Sequence, residues 1–237
     1  MTLTLDLTSD LHTHSSLTDG ADTAAAMADA ALAAGLRTWG LSDHVRADTT
    51  WLPDYVRTVH ALDVGELVIR CGVEAKILDQ AGALDLPPGS PALDYILIAD
   101  HQFPGRSGPV HPTEIGGQLA DGSLTPSAAL EALITATCAA VRTSPAPPIV
   151  AHLFSVLPKC GLTEDQVDGE LIDALAKDCV AAEARVEVNE KWRCPSLRVI
   201  DRLSNAGVVI VAGSDAHRCA DIGRWDYATS LDRSAGP

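Results

Sequence analysis

The sequence predicts an α/β protein with a parallel sheet, either closed as a barrel or doubly wound. Two observations carry that prediction. Short apolar, β-branched runs alternate with helical stretches along all 237 residues, giving seven strand-then-helix units. The chain is also 46% apolar and 21% charged, which is enough for one sizeable core over residues 1–237 and argues against disorder.

Each element has its own signature. The strand candidates are Thr2–His12, Thr38–Ser42, Leu67–Glu74, Tyr95–Asp100, Ile149–His152, Arg185–Asn189 and Val208–Ala212. Asp22–Ala34 reads as a helix ended by Gly35, a residue suited to the left-handed turn of a C-terminal cap. Pro53 and Pro126 open two further helices at the first turn, where proline's missing N–H is tolerated. Thr163-Glu164-Asp165-Gln166 is a capping box that predicts a helix ending near Lys177. Pro195–Ala206 follows, stopped by Gly207. Gln102–Thr125, rich in Gly and Pro, reads as the longest irregular stretch, and segments of that length are usually functional or mobile; the sequence leaves open whether this one is a lid.

Charge counts against two classes of partner. With 17 Lys+Arg against 32 Asp+Glu, the net charge is −15, so few cations are available to neutralise phosphates of a nucleic acid or an anionic membrane. Met1–Asp6 has neither a basic nor an apolar signal region, and no apolar run approaches the roughly 20 residues of a membrane helix. The six cysteines are scattered without a C-x-x-C pair, which suits reduced thiols and a cytoplasmic protein.

The residues that carry chemistry cluster at the carboxyl ends of the strand candidates. His12 and His14 share a face at the end of the first strand, and His44 follows the second. Glu74 closes the third, His101 follows the fourth, His152 ends the fifth, and Asp215 and His217 follow the last. Only His60, in a helix, and His111, in the long loop, fall elsewhere. Taken singly, each has an ordinary explanation as a hydrogen-bonded loop residue, an ion-pair partner or a helix cap. Six histidines and two carboxylates at the rim where α/β barrels place their active sites point instead to metal. Imidazole and carboxylate donors suit Zn, Mn or Fe, and so many donors exceed the needs of one ion, so two or three divalent ions are expected, with Glu74 bridging. Asp19 fits a turn as well as a ligand. Asp10, Asp43 and Asp100 adjoin the histidines and are candidates either to orient an imidazole or to form plain strand-end salt bridges.

The ordered set Asp10-Leu11-His12-Thr13-His14, Thr18-Asp19-Gly20, Ser42-Asp43-His44, Gly72-Val73-Glu74, Asp100-His101, Ala151-His152 and Gly213-Ser214-Asp215-Ala216-His217 resembles the motifs of the PHP (polymerase and histidinol phosphatase) family. The resemblance runs from about residue 9 to residue 224. It implies a distorted (β/α)7, TIM-like barrel with a trinuclear centre. In that centre His12, His14, Glu74 and Asp215 hold one metal. Glu74 bridges to a second held by His101 and His152, and Asp19, His44 and His217 hold the third. The chain departs from the family pattern at Ala99-Asp100, where a Ser and a small apolar residue are frequent, and it is short for the histidinol-phosphatase branch. Gly72–Leu86 looks closer to stand-alone and polymerase-linked PHP domains.

The leading functional expectation is a phosphomonoesterase acting on a small phosphorylated metabolite, such as histidinol phosphate or a sugar, nucleoside or secondary-metabolite phosphate. A hydroxide held between ions beside Glu74 would attack phosphorus, and a histidine near the leaving group or a second water would supply the proton. Glu74 and His217 are the residues assigned to catalysis. Arg46, Lys191, Arg193 and Arg218 stand in loops after strands and are the candidate phosphate contacts, with Arg193 and Arg218 preferred. Trp192 fits a loop anchor better than a platform for a substrate ring. Three alternatives remain open from sequence: a PHP-type phosphodiesterase or exonuclease, a metal-binding protein without turnover, and an amidohydrolase-type reaction.

Overall fold

The computed structural model describes residues 4–231. In chain order its strands are β1 (Ser9–Asp10), β2 (Thr38–Leu41), β3 (Val68–Lys76), β4 (Tyr95–Ala99), β5 (Phe103–Gly105), β6 (Gly108–Val110), β7 (Pro148–Val150), β8 (Arg185–Asn189) and β9 (Val209–Gly213). Seven of them form one parallel sheet in the order β1-β2-β3-β4-β7-β8-β9, and β5 and β6 make an antiparallel hairpin. The first and last strands meet beyond their carboxyl ends: Thr13 and Ala216 form a parallel bridge, and Ser214 N donates to Asp10 Oδ1 at 3.1 Å. The result is a nearly closed, distorted (β/α)7 barrel, as the resemblance implies.

Helices α1 (Ala24–Ala33), α2 (Leu52–His60), α3 (Pro112–Asp121), α4 (Pro126–Thr143), α5 (Leu157–Cys160), α6 (Gly169–Ala181), α7 (Leu197–Asn205) and α8 (Asp226–Leu231) alternate with the strands. The main apolar layer includes Met27, Trp39, Leu130, Leu133, Val186 and Leu203. A smaller cluster of Leu11, Tyr95, Leu97, Ile149 and Ala151 draws on β4, β7 and the chain just after β1, and fills the barrel interior. Tyr95 pins it, donating its hydroxyl to Leu11 O at 2.7 Å. Its ring occupies space left by two glycines, since a Cβ at Gly40 would lie 2.3 Å from the hydroxyl oxygen and one at Gly72 2.2 Å from Cζ.

Several boundaries differ from the sequence expectation. The first strand is far shorter than Thr2–His12; Thr2 and Leu3 lie outside the described residues, and Asp6 diverts the backbone by accepting Thr8 N at 2.9 Å. The third strand runs on to Lys76. The Thr163 capping box closes only the single turn Glu164–Gln166, and Asp168 caps α6 afresh. Gln102–Thr125 is not irregular: it holds the β5–β6 hairpin, turned at Gly108 with φ +138°, and α3, whose N-cap is His111 and whose first turn holds Pro112. Among the described residues no helix is long and apolar enough to cross a membrane, and all six cysteines are free.

Candidate metal centre

All nine sequence-assigned donors converge above the carboxyl ends of the barrel strands. Glu74 is the hub, carried on the inward face of β3 and 1% exposed. Its Oε1 lies 2.9 Å from His101 Nε2 and 2.8 Å from His152 Nε2. Its Oε2 faces the other way, 3.5 Å from both His12 Nε2 and His14 Nε2 and 2.9 Å from His44 Nδ1. One carboxylate therefore addresses two groups of imidazoles. A third group lies toward solvent, where Asp19 Oδ2 is 3.3 Å from His44 Nε2 and 3.2 Å from His217 Nε2.

The donor spacing fits cations. His12 Nε2 and His14 Nε2 face each other at 3.1 Å, and Asp215 Oδ1 lies 3.6 Å from the second and 3.9 Å from the first. Glu74 Oε2 completes a compact group with the two imidazoles, 3.5 Å from each, at separations near the about 3.4 Å expected between ligands bonded at ~2.1 Å to Zn. Among the donors, two buried atoms have no hydrogen-bond partner, His14 Nδ1 and Glu74 Oε2. An orphaned buried carboxylate oxygen is costly unless a cation compensates it. The donor set, buried His12, His14, Glu74, His152 and Asp215 beneath half-buried His44, His101 and His217, suits Zn, Mn or Fe.

The metal-free electrostatics show the same demand. Burial opposes the charged form of His12, yet Glu187, Asp215 and Glu74 around it outweigh burial and hold it well above the usual histidine range. Burial likewise opposes His152, but Asp100 and Glu74 raise it to about 10. Burial would raise Glu74, and His101 and His12 instead hold it well below the usual carboxylate range. His14 is pushed well below its usual value by burial.

Two of the donors have left-handed backbones, His152 at φ +28° and Asp215 at φ +53°. Such conformations cost energy and persist where the surroundings impose them, as they do at functional sites. Of the three neighbouring aspartates, Asp100 orients an imidazole, lying 3.1 Å from His152 Nδ1 and accepting Ser155 Oγ at 2.7 Å. Asp43 organises the loop between His14 and Asp19, accepting Ser15 N, Ser15 Oγ and Thr18 Oγ1. Asp10 accepts His12 N and Ser214 N, closing the barrel, and burial raises it to about 6.

The candidate phosphate contacts separate. Arg46 lines a cavity of about 860 Å³ that opens beside Asp19, His44, Glu74 and His101 and is walled by Trp51 and Lys76. Lys191 Nζ reaches the donors themselves, 3.2 Å from Asp215 Oδ1 and 3.3 Å from His217 Nδ1. Arg193 lies over the Tyr227 ring at 5.3 Å, and Arg218 stands near Asp22 before the turn Cys219–Asp221. Trp192 is 41% exposed, with Lys159 Nζ 4.1 Å above its ring. His60 is half-exposed beside Asp94, and His111 serves as a helix cap.

One residue escaped the sequence reading. Glu187, in the middle of β8, lies 2.8 Å from His12 Nδ1 and accepts His152 N at 2.7 Å. The alternation Arg185-Val186-Glu187-Val188-Asn189 was the available signal, because it puts three polar side chains on one face of a barrel strand.

A nearly closed parallel barrel with a rim of histidines and carboxylates around one central glutamate defines a metal-binding α/β barrel. The family model of the PHP domain matches residues 10–136, more than half of the chain, and the chain belongs to that family. No curated protein matches it by sequence. Its structure is similar to the histidinol phosphate phosphatase of Lactococcus lactis subsp. lactis Il1403, solved with Zn, L-histidinol and phosphate, with a TM-score of 0.69, 17% identity, and coverage of 96% of this chain and 93% of that one. It is also similar to the putative histidinol phosphatase of Listeria monocytogenes, with a TM-score of 0.63, 16% identity, and coverage of 93% of this chain and 99% of that one.

Proposed function

We propose that residues 1–237 form a single metallophosphoesterase domain, a phosphatase that hydrolyses a small phosphorylated metabolite with two to three divalent ions, Zn, Mn or Fe. The observation that carries the reading is Glu74, whose two oxygens face opposite groups of imidazoles at the edge of a metabolite-sized cavity. His12, His14, Glu74 and Asp215 would hold one ion, Glu74, His101 and His152 a second, and Asp19, His44 and His217 a third. When bound, such ions supply a nucleophile at neutral pH and neutralise the charge of the transferring phosphoryl group.

The chain's own residues do the rest. His217 Nδ1 lies 2.9 Å from Asp215 O, an acceptor that places its proton there and turns the Nε2 lone pair toward Asp19. Asp100 holds the His152 ring in the same manner. The Lys191 ammonium sits at the Asp215 edge of the centre, where it would bind a phosphoryl oxygen, and the Arg46 guanidinium in the cavity wall would bind another. Arg193 and Arg218 belong to the loops around the substrate in this reading. Trp51 and Thr18 line the space left for the leaving alcohol. A small monoester is favoured over an oligonucleotide because the net charge of −15 leaves no basic track for a strand. The Zn, L-histidinol and phosphate bound by the Lactococcus protein support a phosphomonoester substrate and put histidinol phosphate first on the panel.

The test is a metal analysis of the purified chain followed by a screen of phosphomonoesters, a diester and an oligonucleotide on the same preparation. Turnover of a monoester that disappears with chelation is expected. Bound metal without monoester turnover would overturn the phosphatase assignment in favour of the diesterase or amidohydrolase alternatives.

A further inference from the structure

We propose that Glu187 is a positioning residue that sets His12 and His152 together, and so couples loading of the two inner ion positions. The inference rests on the metal reading above and adds a residue to it. Glu187 is 1% exposed, and both its oxygens are committed. Oε1 lies 2.8 Å from His12 Nδ1, while Oε2 accepts His152 N at 2.7 Å and Asn189 Nδ2 at 3.1 Å.

The two contacts act differently. A carboxylate only accepts, so it keeps a proton on His12 Nδ1, and the proton given up on metal binding comes from Nε2, which faces the pocket shared with His14, Glu74 and Asp215. At His152 the carboxylate grips the backbone, in a residue held at φ +28°. Asp100 takes the ring of that same histidine, so ring and backbone are fixed from opposite sides. His12 belongs to one proposed ion and His152 to the other. A shift of Glu187 therefore disturbs both at once, while the outer group is tied together through Asp19, 3.3 Å from His44 Nε2 and 3.2 Å from His217 Nε2.

The seat of Glu187 is also built by its neighbours. A Cβ at Gly213 would lie 1.7 Å from Glu187 Oε1, so the glycine on β9 keeps the carboxylate's position open. Asn189 is in turn tied to the following loop, its Oδ1 accepting Trp192 N at 2.8 Å. That loop carries Lys191 to Asp215, so the same strand end orders a donor imidazole and the ammonium next to the centre.

The test uses the full chain stripped of metal and titrated with Zn2+ against a chelating indicator, for wild type, Glu187→Gln, Gly213→Ala and the double variant. Glu187→Gln keeps the volume and removes the charge, whereas Gly213→Ala leaves Glu187 in place chemically and pushes it off His12. Each single variant should lose roughly 10–100-fold in Zn affinity at the inner positions and keep the outer one, with unchanged far-UV circular dichroism. The double variant should bind no more weakly than Glu187→Gln, because both changes act on one contact. Wild-type affinities in both single variants would overturn the inference, as would equal weakening of all positions. If Glu187→Gln does not fold, Gly213→Ala decides by the same criteria. A wild-type chain that takes up no Zn2+ would instead refute the metal reading itself.

Discussion

Gly72→Ala is expected to injure both the barrel and its site, through a tyrosine that lies beneath the metal centre. The added Cβ would meet Tyr95 Cζ at 2.2 Å, well inside van der Waals contact, and the ring is 1% exposed and packed among Leu11, Leu97 and Ile149. Overpacking of this kind costs about 1–3 kcal/mol. Displacing the ring also weakens the 2.7 Å hydrogen bond to Leu11 O, worth about 1 kcal/mol. For a domain of this size a kilocalorie moves Tm by ~2–4 °C, so the fall should be roughly 4–16 °C. Leu11 immediately precedes His12, so Zn affinity should drop with stability. Thermal unfolding of the metal-free chain, followed by circular dichroism, measures the first effect. Trimming the ring in Gly72→Ala/Tyr95→Leu should recover part of the loss, with a coupling of ~0.5–3 kcal/mol between the two sites. A wild-type Tm for Gly72→Ala, or losses that simply add in the double variant, would refute the packing argument.

Three further outcomes follow from the site. Glu74→Gln should strip the two ions that Glu74 addresses and abolish turnover; elemental analysis showing wild-type metal content would contradict its role as hub. Lys191→Met should raise KM by roughly 10–100-fold, the loss of one charge-assisted contact, with metal content intact. Unchanged KM would remove Lys191 from substrate binding. Zn2+ binding should strengthen with pH. In the metal-free chain His12 is raised and His152 stands at about 10, so both are protonated near neutrality and must lose a proton to become ligands. Burial opposes the charged form of His44 too, but Glu74 and Asp19 raise it, so release of about two to three protons makes the overall affinity climb by roughly 100–1,000-fold per pH unit between pH 6 and 8. Calorimetry in buffers of different ionisation enthalpy counts those protons, and a count of zero would contradict the arrangement.

Much of this site was legible because metal donors announce themselves by position. Histidines at strand ends keep their meaning however the intervening helices pack, and the nine donors named from sequence are the nine that meet around Glu74. Asp19 was readable only through the ordered motifs, since a half-exposed aspartate in a turn has no periodic signature. Glu187 was hidden because a strand's inward face is known only once the barrel closes. The hairpin and α3 within Gln102–Thr125 were missed for a different reason. Glycine and proline mark turns and helix starts as readily as loops, and a two-strand ribbon of three residues each is too short to show alternation. Arg193 illustrates the limit for long cations: its position after β8 suggests a phosphate contact, but the packing of its guanidinium over Tyr227 is set by the folded chain and has no signature in the sequence.

The most direct test of the central claim is anomalous diffraction from crystals of the Zn-loaded chain. Two peaks should flank the carboxylate of Glu74, one among His12, His14 and Asp215 and one beside His101 and His152, with a third at Asp19, His44 and His217. Absence of any peak at Glu74, with the imidazoles still hydrogen-bonded to its oxygens as in the metal-free chain, would contradict it.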